Sequence, residues 1–85
     1  MIYDFYADWC GPCKSLAPIL ESVAKERNIE LKKINVDEDP DGLSVDYKIR
    51  SVPTIVVVEN KVEIGRFSGT KSKEDLNKFF DNLNL

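Results

Sequence analysis

The chain has no histidine and only two cysteines, Cys10 and Cys13. A closed zinc site needs about four cysteine or histidine ligands, so two cysteines without histidine exclude one. Runs of basic residues are also missing. The 12 lysines and arginines are scattered among 15 acidic residues, and the net charge is −3. A phosphate-binding surface needs a basic stripe, so no nucleic-acid partner is expected. Long apolar runs are absent as well. The longest aliphatic stretch is Ile55 to Val58, far short of the ~20 residues of a membrane helix, and no membrane association is expected. Met1 leads straight into Ile2-Tyr3-Asp4-Phe5-Tyr6, which is too short and too acidic for a signal-peptide core. A single closely spaced cysteine pair also differs from the many-cysteine framework of small secreted domains. The expectation is a soluble protein of a reducing cytosol, in which the pair is a working redox group.

What the chain does contain is enough for one small domain spanning residues 1–85. Hydrophobic residues make up 42% of its 85 positions, an ordinary globular share that argues against disorder. The size lies near the lower limit at which one core holds a fold without staples.

Hydrophobic periodicity places the elements. Residues 2–6, aromatic and β-branched, predict a strand. Leu16, Ile19, Leu20, Val23 and Ala24 recur at three- and four-residue spacing and predict a helix over 12–27. Pro18 lies inside it and is expected to kink rather than stop it. Residues 30–36 predict a second strand. Asp39-Pro40 reads as a helix start, Asp capping and Pro at the first helical position. It predicts a short helix over about 40–48 that buries Leu43 and Tyr47. The nearly continuous aliphatic run from Thr54 to Val58 predicts a strand covered on both faces. Glu59-Asn60-Lys61 predicts a turn, and residues 62–67 the returning strand. Ser72-Lys73-Glu74-Asp75 resembles a capping box, followed by Leu76, Phe79, Phe80 and Leu83 on one helical face. The order β-α-β-α-β-β-α predicts an α/β fold with a four-stranded mixed sheet and three helices on its two faces. The first two strands should be parallel.

In this arrangement Cys10 and Cys13 lie where the first strand ends and the first helix begins, the usual place for a site in an open α/β sheet. An exposed thiol titrates near pH 8.5, so only about 3% is thiolate at pH 7. A helix start offers unpaired N–H groups and partial positive charge, both of which favour an anion. Cys10 can receive both effects and is the expected nucleophile. Cys13, one turn later and expected to be more buried, is the expected resolving thiol. Cys10 attacks a substrate disulfide; Cys13 then attacks Cys10 and releases the reduced substrate. Gly11 and Pro12 set how easily the pair closes. A static disulfide is the weaker alternative, because a two-residue loop removes little unfolded-state entropy.

Trp9-Cys10-Gly11-Pro12-Cys13-Lys14 resembles the active site of the thioredoxin family. The resemblance continues through Asp4-Phe5-Tyr6-Ala7, Ala17-Pro18-Ile19-Leu20, Lys33-Ile34-Asn35-Val36-Asp37, Ile49-Arg50-Ser51-Val52-Pro53-Thr54 and Gly69. It implies a thioredoxin-like fold and a protein-disulfide reductase without a bound cofactor, expected as a monomer. Its partners would be disulfide-containing proteins and a recycling reductase, either thioredoxin-reductase-like or a glutathione/glutaredoxin system. The resemblance further implies that Asp4 is a buried proton acceptor and donor for Cys13, and that Lys33 is the partner of Asp4. The plainer alternatives are a partly solvated strand-end aspartate and a solvent-facing lysine. Pro53 would be a cis-proline opposite the cysteines, leaving the Val52 backbone free to pair with an extended substrate segment. Trp9 would wall the substrate site, and Gly11, Pro12, Val52 and Gly69 would complete its surface.

The chain departs from the family in three respects. It begins at the family's central strand, without the preceding strand and helix, and so resembles a glutaredoxin in size. That leaves residues 30–36 as an exposed sheet edge, where lysines discourage pairing. Tyr6 stands where tryptophan is common, and Lys61 where a turn glycine is common. Two alternatives remain at this point: a glutathione-coupled glutaredoxin-like enzyme, for which Gly11-Pro12 is the wrong dipeptide, and a non-catalytic binding subunit. An oxidase or isomerase is less in keeping with Gly-Pro, which is associated with reducing members of the family.

Overall fold

The backbone alternation of one strand decides what lies on each side of the sheet. In the computed structural model, which describes residues 1–85, strand β1 runs Ile2–Tyr6. It is hydrogen-bonded on both edges, parallel to β2 (Leu31–Asn35) and antiparallel to β3 (Thr54–Glu59). β4 (Val62–Ser68) closes the sheet in the order β2-β1-β3-β4. Successive side chains of a strand point to opposite faces. Ile2 therefore joins Ile55 and Val57 on one face, while Tyr3 and Phe5 join Val56 and Val58 on the other. Asp4, two residues from Ile2, takes the first face.

That first face is covered by α1 (Gly11–Glu26) and α3 (Lys73–Asn82). Leu16, Leu20 and Val23 of α1 meet Leu76 and Phe80 of α3 over Ile2, Ile55 and Val57. α3 starts at Ser72, whose Oγ accepts the Asp75 N–H at 3.1 Å, as its capping pattern predicts. α1 continues through Pro18. The second face is covered by α2 (Leu43–Asp46) and by Tyr47. The Tyr47 ring lies 5.6 Å from Tyr3 and 6.0 Å from Phe5, centroid to centroid. Cover on both sides explains why the Thr54–Val58 run shows no polar alternation.

The short helix departs from expectation. It begins at Leu43, not Pro40, and is a single turn in which Leu43 and Tyr47 are only half-buried. The Asp39 carboxylate does cap, but from further away: it accepts the Leu43 N–H at 3.1 Å and the Ser44 N–H at 2.7 Å. Gly42 between them is left-handed, with φ 69°, so the chain cannot be helical from residue 40 onward. β2 is an edge strand, as expected, with Lys32 and Lys33 exposed along it.

The hairpin between β3 and β4 is closed by Asn60 and Lys61, both at positive φ (52° and 67°). Two left-handed residues in a two-residue loop suit strand twist, but a lysine bears a steric cost that glycine avoids. Lys61→Gly is expected to raise stability by about 0.5–1 kcal/mol, part of the gain being offset by the greater freedom of glycine in the unfolded chain. Denaturant unfolding of the two proteins measures it; an unchanged or lower midpoint would contradict a strained turn.

Candidate active site

β1 ends at Tyr6, three residues carry the chain over the edge of the sheet, and α1 starts at Gly11. Cys10 is the N-cap, in extended conformation. A side chain at this position can accept an N–H from the first turn. Here the acceptor is sulfur: Cys10 Sγ receives the Cys13 N–H at 3.2 Å. The two cysteines form a disulfide with Cα atoms 5.3 Å apart. Pro12, in the first turn, occupies a position whose N–H has no intrahelical partner in any case. Both cysteines are 4% exposed. The expected difference in burial is therefore absent: the disulfide folds Cys10 back onto the first turn of α1, beside Cys13. Ala7 is buried with them, and Tyr6, Val36 and Val52 pack around the group.

Opposite the sulfurs, the Val52–Pro53 peptide bond is cis. The Pro53 carbonyl accepts the Gly69 N–H at 2.9 Å. Thr54 Oγ1 donates to the Ser51 carbonyl at 2.7 Å. The Val52 N–H and C=O have no hydrogen-bond partner. Gly69, at φ 84°, holds a left-handed turn against Pro53.

Trp9 is 71% exposed. Its ring is nonetheless held, because Nε1 donates to Asp37 Oδ2 at 2.9 Å. Asp37 is placed in turn by its own N–H, which donates to Asn35 Oδ1 at 3.0 Å. Trp9, Val36, Ile49, Arg50 and Val52 line a groove of about 200 Å³ beside the disulfide. The part played by Asp37 is not visible in the sequence, since it comes from a strand end 28 residues away.

Beneath the disulfide, on the α1 side of the sheet, lies Asp4. It is 3% exposed. A cleft of about 110 Å³ connects Asp4 with Cys13, and Tyr6, Ala17 and Lys33 form more of its wall. Burial pushes the Asp4 carboxyl up to about 6; Lys33 opposes the shift and Glu21 adds to it. Lys33 stands next to Asp4 in the β1–β2 register. Its ammonium makes no ion pair with Asp4. It lies 3.9 Å from Glu21 Oε2 and 5.3 Å from the centre of the Tyr6 ring. Lys33 thus acts on Asp4 through space, and its direct ionic contact is a carboxylate that sequence reading did not single out.

The raised pKa of Asp4 makes stability depend on pH with a definite sign. Below about pH 4 the group is protonated whether folded or unfolded, and burial costs nothing. Between about 4 and 6 the unfolded chain ionises while the folded chain keeps its proton, so stability falls as pH rises. Above about 6 the full cost is present, on the order of 1–3 kcal/mol. Asp4→Asn should therefore be more stable than the parent by that amount at pH 7.5 and lose its advantage near pH 4. Unfolding curves taken across this range check it.

Known proteins agree with this geometry. The family model described as Thioredoxin matches residues 1–82. The chain is 42% identical to a thioredoxin of Buchnera aphidicola subsp. Acyrthosiphon pisum, over 98% of this chain and 79% of that one. It is 40% identical to a thioredoxin of Chlamydia pneumoniae, over 89% and 74%. Among solved structures, a mutant thioredoxin from Halobacterium salinarum superposes with a TM-score of 0.85 at 34% identity, covering 95% of this chain and 71% of the other. The matched region contains the cysteine pair, the strand that leads into it and the proline opposite, and on that basis the chain belongs to the thioredoxin family of thiol–disulfide oxidoreductases.

Proposed function

We propose that the chain, folded as one domain over residues 1–85, is a monomeric reductase of protein disulfides that works in the cytoplasm. The observation that carries this reading is the unpaired Val52 backbone beside the disulfide. A backbone N–H and C=O left free at a surface suit the main chain of an extended segment, which adds as a short strand. Trp9, held by Asp37, supplies the apolar wall on one side. Gly11, Pro12 and Gly69 present little bulk on the other. The substrate class is therefore a protein whose disulfide lies in a segment that can extend. No helix is long and apolar enough to cross a membrane, which is in keeping with the proposed compartment.

Cys10 is the nucleophile. Its sulfur is the atom at the helix cap toward which the Cys13 N–H points, and a donor in that place favours thiolate over thiol. The Cys10 thiolate attacks one sulfur of the substrate disulfide. A mixed disulfide forms, and the other substrate sulfur leaves as a thiolate and takes up a proton. Cys13 passes its own proton through the cleft to the Asp4 carboxylate and attacks Cys10 Sγ. The Cys10–Cys13 bond forms, the mixed disulfide breaks, and the second substrate thiolate departs to be protonated. Two electrons have moved from the protein pair to the substrate. A carboxyl with a pKa of about 6 can both accept and return a proton near neutrality. A partner reductase returns the two electrons; the thioredoxin family points to one of the thioredoxin-reductase type.

Reduction of insulin disulfides with a flavoprotein thioredoxin reductase as electron source is the direct assay. The parent should turn over, and Cys10→Ser should fall to background. Cys13→Ser should also lose turnover but accumulate a mixed disulfide with the substrate, detected as an added mass that a reductant removes. Robust activity with glutathione and none with the flavoprotein would reverse the choice of electron donor. Trapping by Cys10→Ser instead of Cys13→Ser would exchange the roles of the two cysteines.

A further inference from the structure

Along α1, Cys13, Ala17 and Glu21 are spaced by four residues and so form one row on the helix surface. Beneath this row run β1 and β2, with Asp4 and Lys33 side by side in register. The cleft connecting Asp4 and Cys13 passes under Ala17, whose methyl leaves it open. Glu21 is one turn beyond Ala17. There its carboxylate is 3.9 Å from the Lys33 ammonium, which also sits over the Tyr6 ring. The basic group closest in register to Asp4 is thus held by a second acid, and the inner acid has no direct cationic partner.

We propose that Glu21 is a positioning residue for the reaction: it holds the Lys33 ammonium away from Asp4 and thereby governs proton exchange between Asp4 and Cys13. Two effects act in the same direction. A free Lys33 could move toward Asp4 and stabilise its carboxylate. The Glu21 charge itself disfavours a second negative charge nearby, in line with its contribution to the raised pKa of Asp4. Removing Glu21 abolishes both, so Asp4 should give up its proton more readily and accept one from Cys13 less readily. The other charged or titratable groups facing the cleft are Tyr6, Asp8 and Lys14, and they are the same in every variant below. Glu21 is exposed and makes no core contact, so its substitution leaves the fold intact.

This inference rests on Asp4 as the proton acceptor, and the experiment separates the two. The Asp4 carboxyl is titrated by carbon NMR in the intact protein and in Glu21→Gln, Glu21→Asp and Lys33→Met. Reductase rates are measured across the same pH range, with Asp4→Asn and the Asp4→Asn, Glu21→Gln double variant included. Glu21→Gln should lower the Asp4 midpoint by on the order of half a pH unit at low salt, and by less at high salt. Lys33→Met should raise it, and Glu21→Asp should keep most of the parent value. The acidic limb of the rate profile should move with the midpoint in Glu21→Gln, and the double variant should match Asp4→Asn alone. An Asp4 midpoint that stays in place or rises in Glu21→Gln overturns the role of Glu21. A midpoint that falls while the profiles of Glu21→Gln and Asp4→Asn both stay as in the parent overturns the Asp4 reading beneath it.

Discussion

The pairing of β1 on both edges is the constraint on which the site depends. A strand bonded to β2 and β3 at once cannot slip without reversing every side chain. A shift by one residue would send Ile2 and Phe5, both fully buried, to the opposite faces of the sheet, out of the clusters they fill, and would turn Asp4 away from α1. The apolar pattern of the strand therefore fixes the position of a polar group that gains nothing from being there. The same strand, by ending at Tyr6, places the start of α1 at the sheet edge and with it the sulfur cap.

Stability and chemistry oppose each other along this strand. Ile2 and Phe5 contribute burial of roughly 1.5–3 kcal/mol each, whereas Asp4 on the same strand carries a desolvation cost. The hydrophobic cover that raises its pKa is the cover supplied by α1 and the neighbouring strands. Loosening that packing would relieve the cost and lower the raised pKa on which the proposed proton exchange rests. The cation on β2 does not cancel the effect, because its nearest ionic partner is Glu21 on the helix.

Much of this was legible in the sequence because it is encoded locally. The apolar periods of β1, α1, β3 and α3 lie within single elements, and the Ser72 cap spans three residues. The cysteine pair and its place after the first strand were equally plain. The boundaries of α2 were not, because the Asp39 carboxylate reaches past a left-handed glycine to cap a turn four and five residues on. The equal burial of the two cysteines depends on how the disulfide folds against α1, which spacing does not reveal. The Trp9–Asp37 hydrogen bond and the Glu21–Lys33 pair join residues distant in sequence. No pattern in either neighbourhood marks one as the partner of the other. The resemblance implied that Lys33 pairs with Asp4; the two are neighbours in register, while the ionic contact of Lys33 is with Glu21.

Both cysteines are nearly covered, each 4% exposed. Thiol–disulfide exchange needs the attacking sulfur to approach along the axis of the bond it breaks. Sulfurs so nearly covered cannot reach into a recess of another molecule, so that molecule must bring its bond to them. A crosslink fastened inside a rigid fold stays out of reach, and one on a segment that can peel away is accessible. On the proposed function, selectivity would follow the local unfolding free energy of the target as well as its amino-acid sequence. On that reading, the burial of this cysteine pair would make the protein a gauge of the mechanical looseness of other proteins.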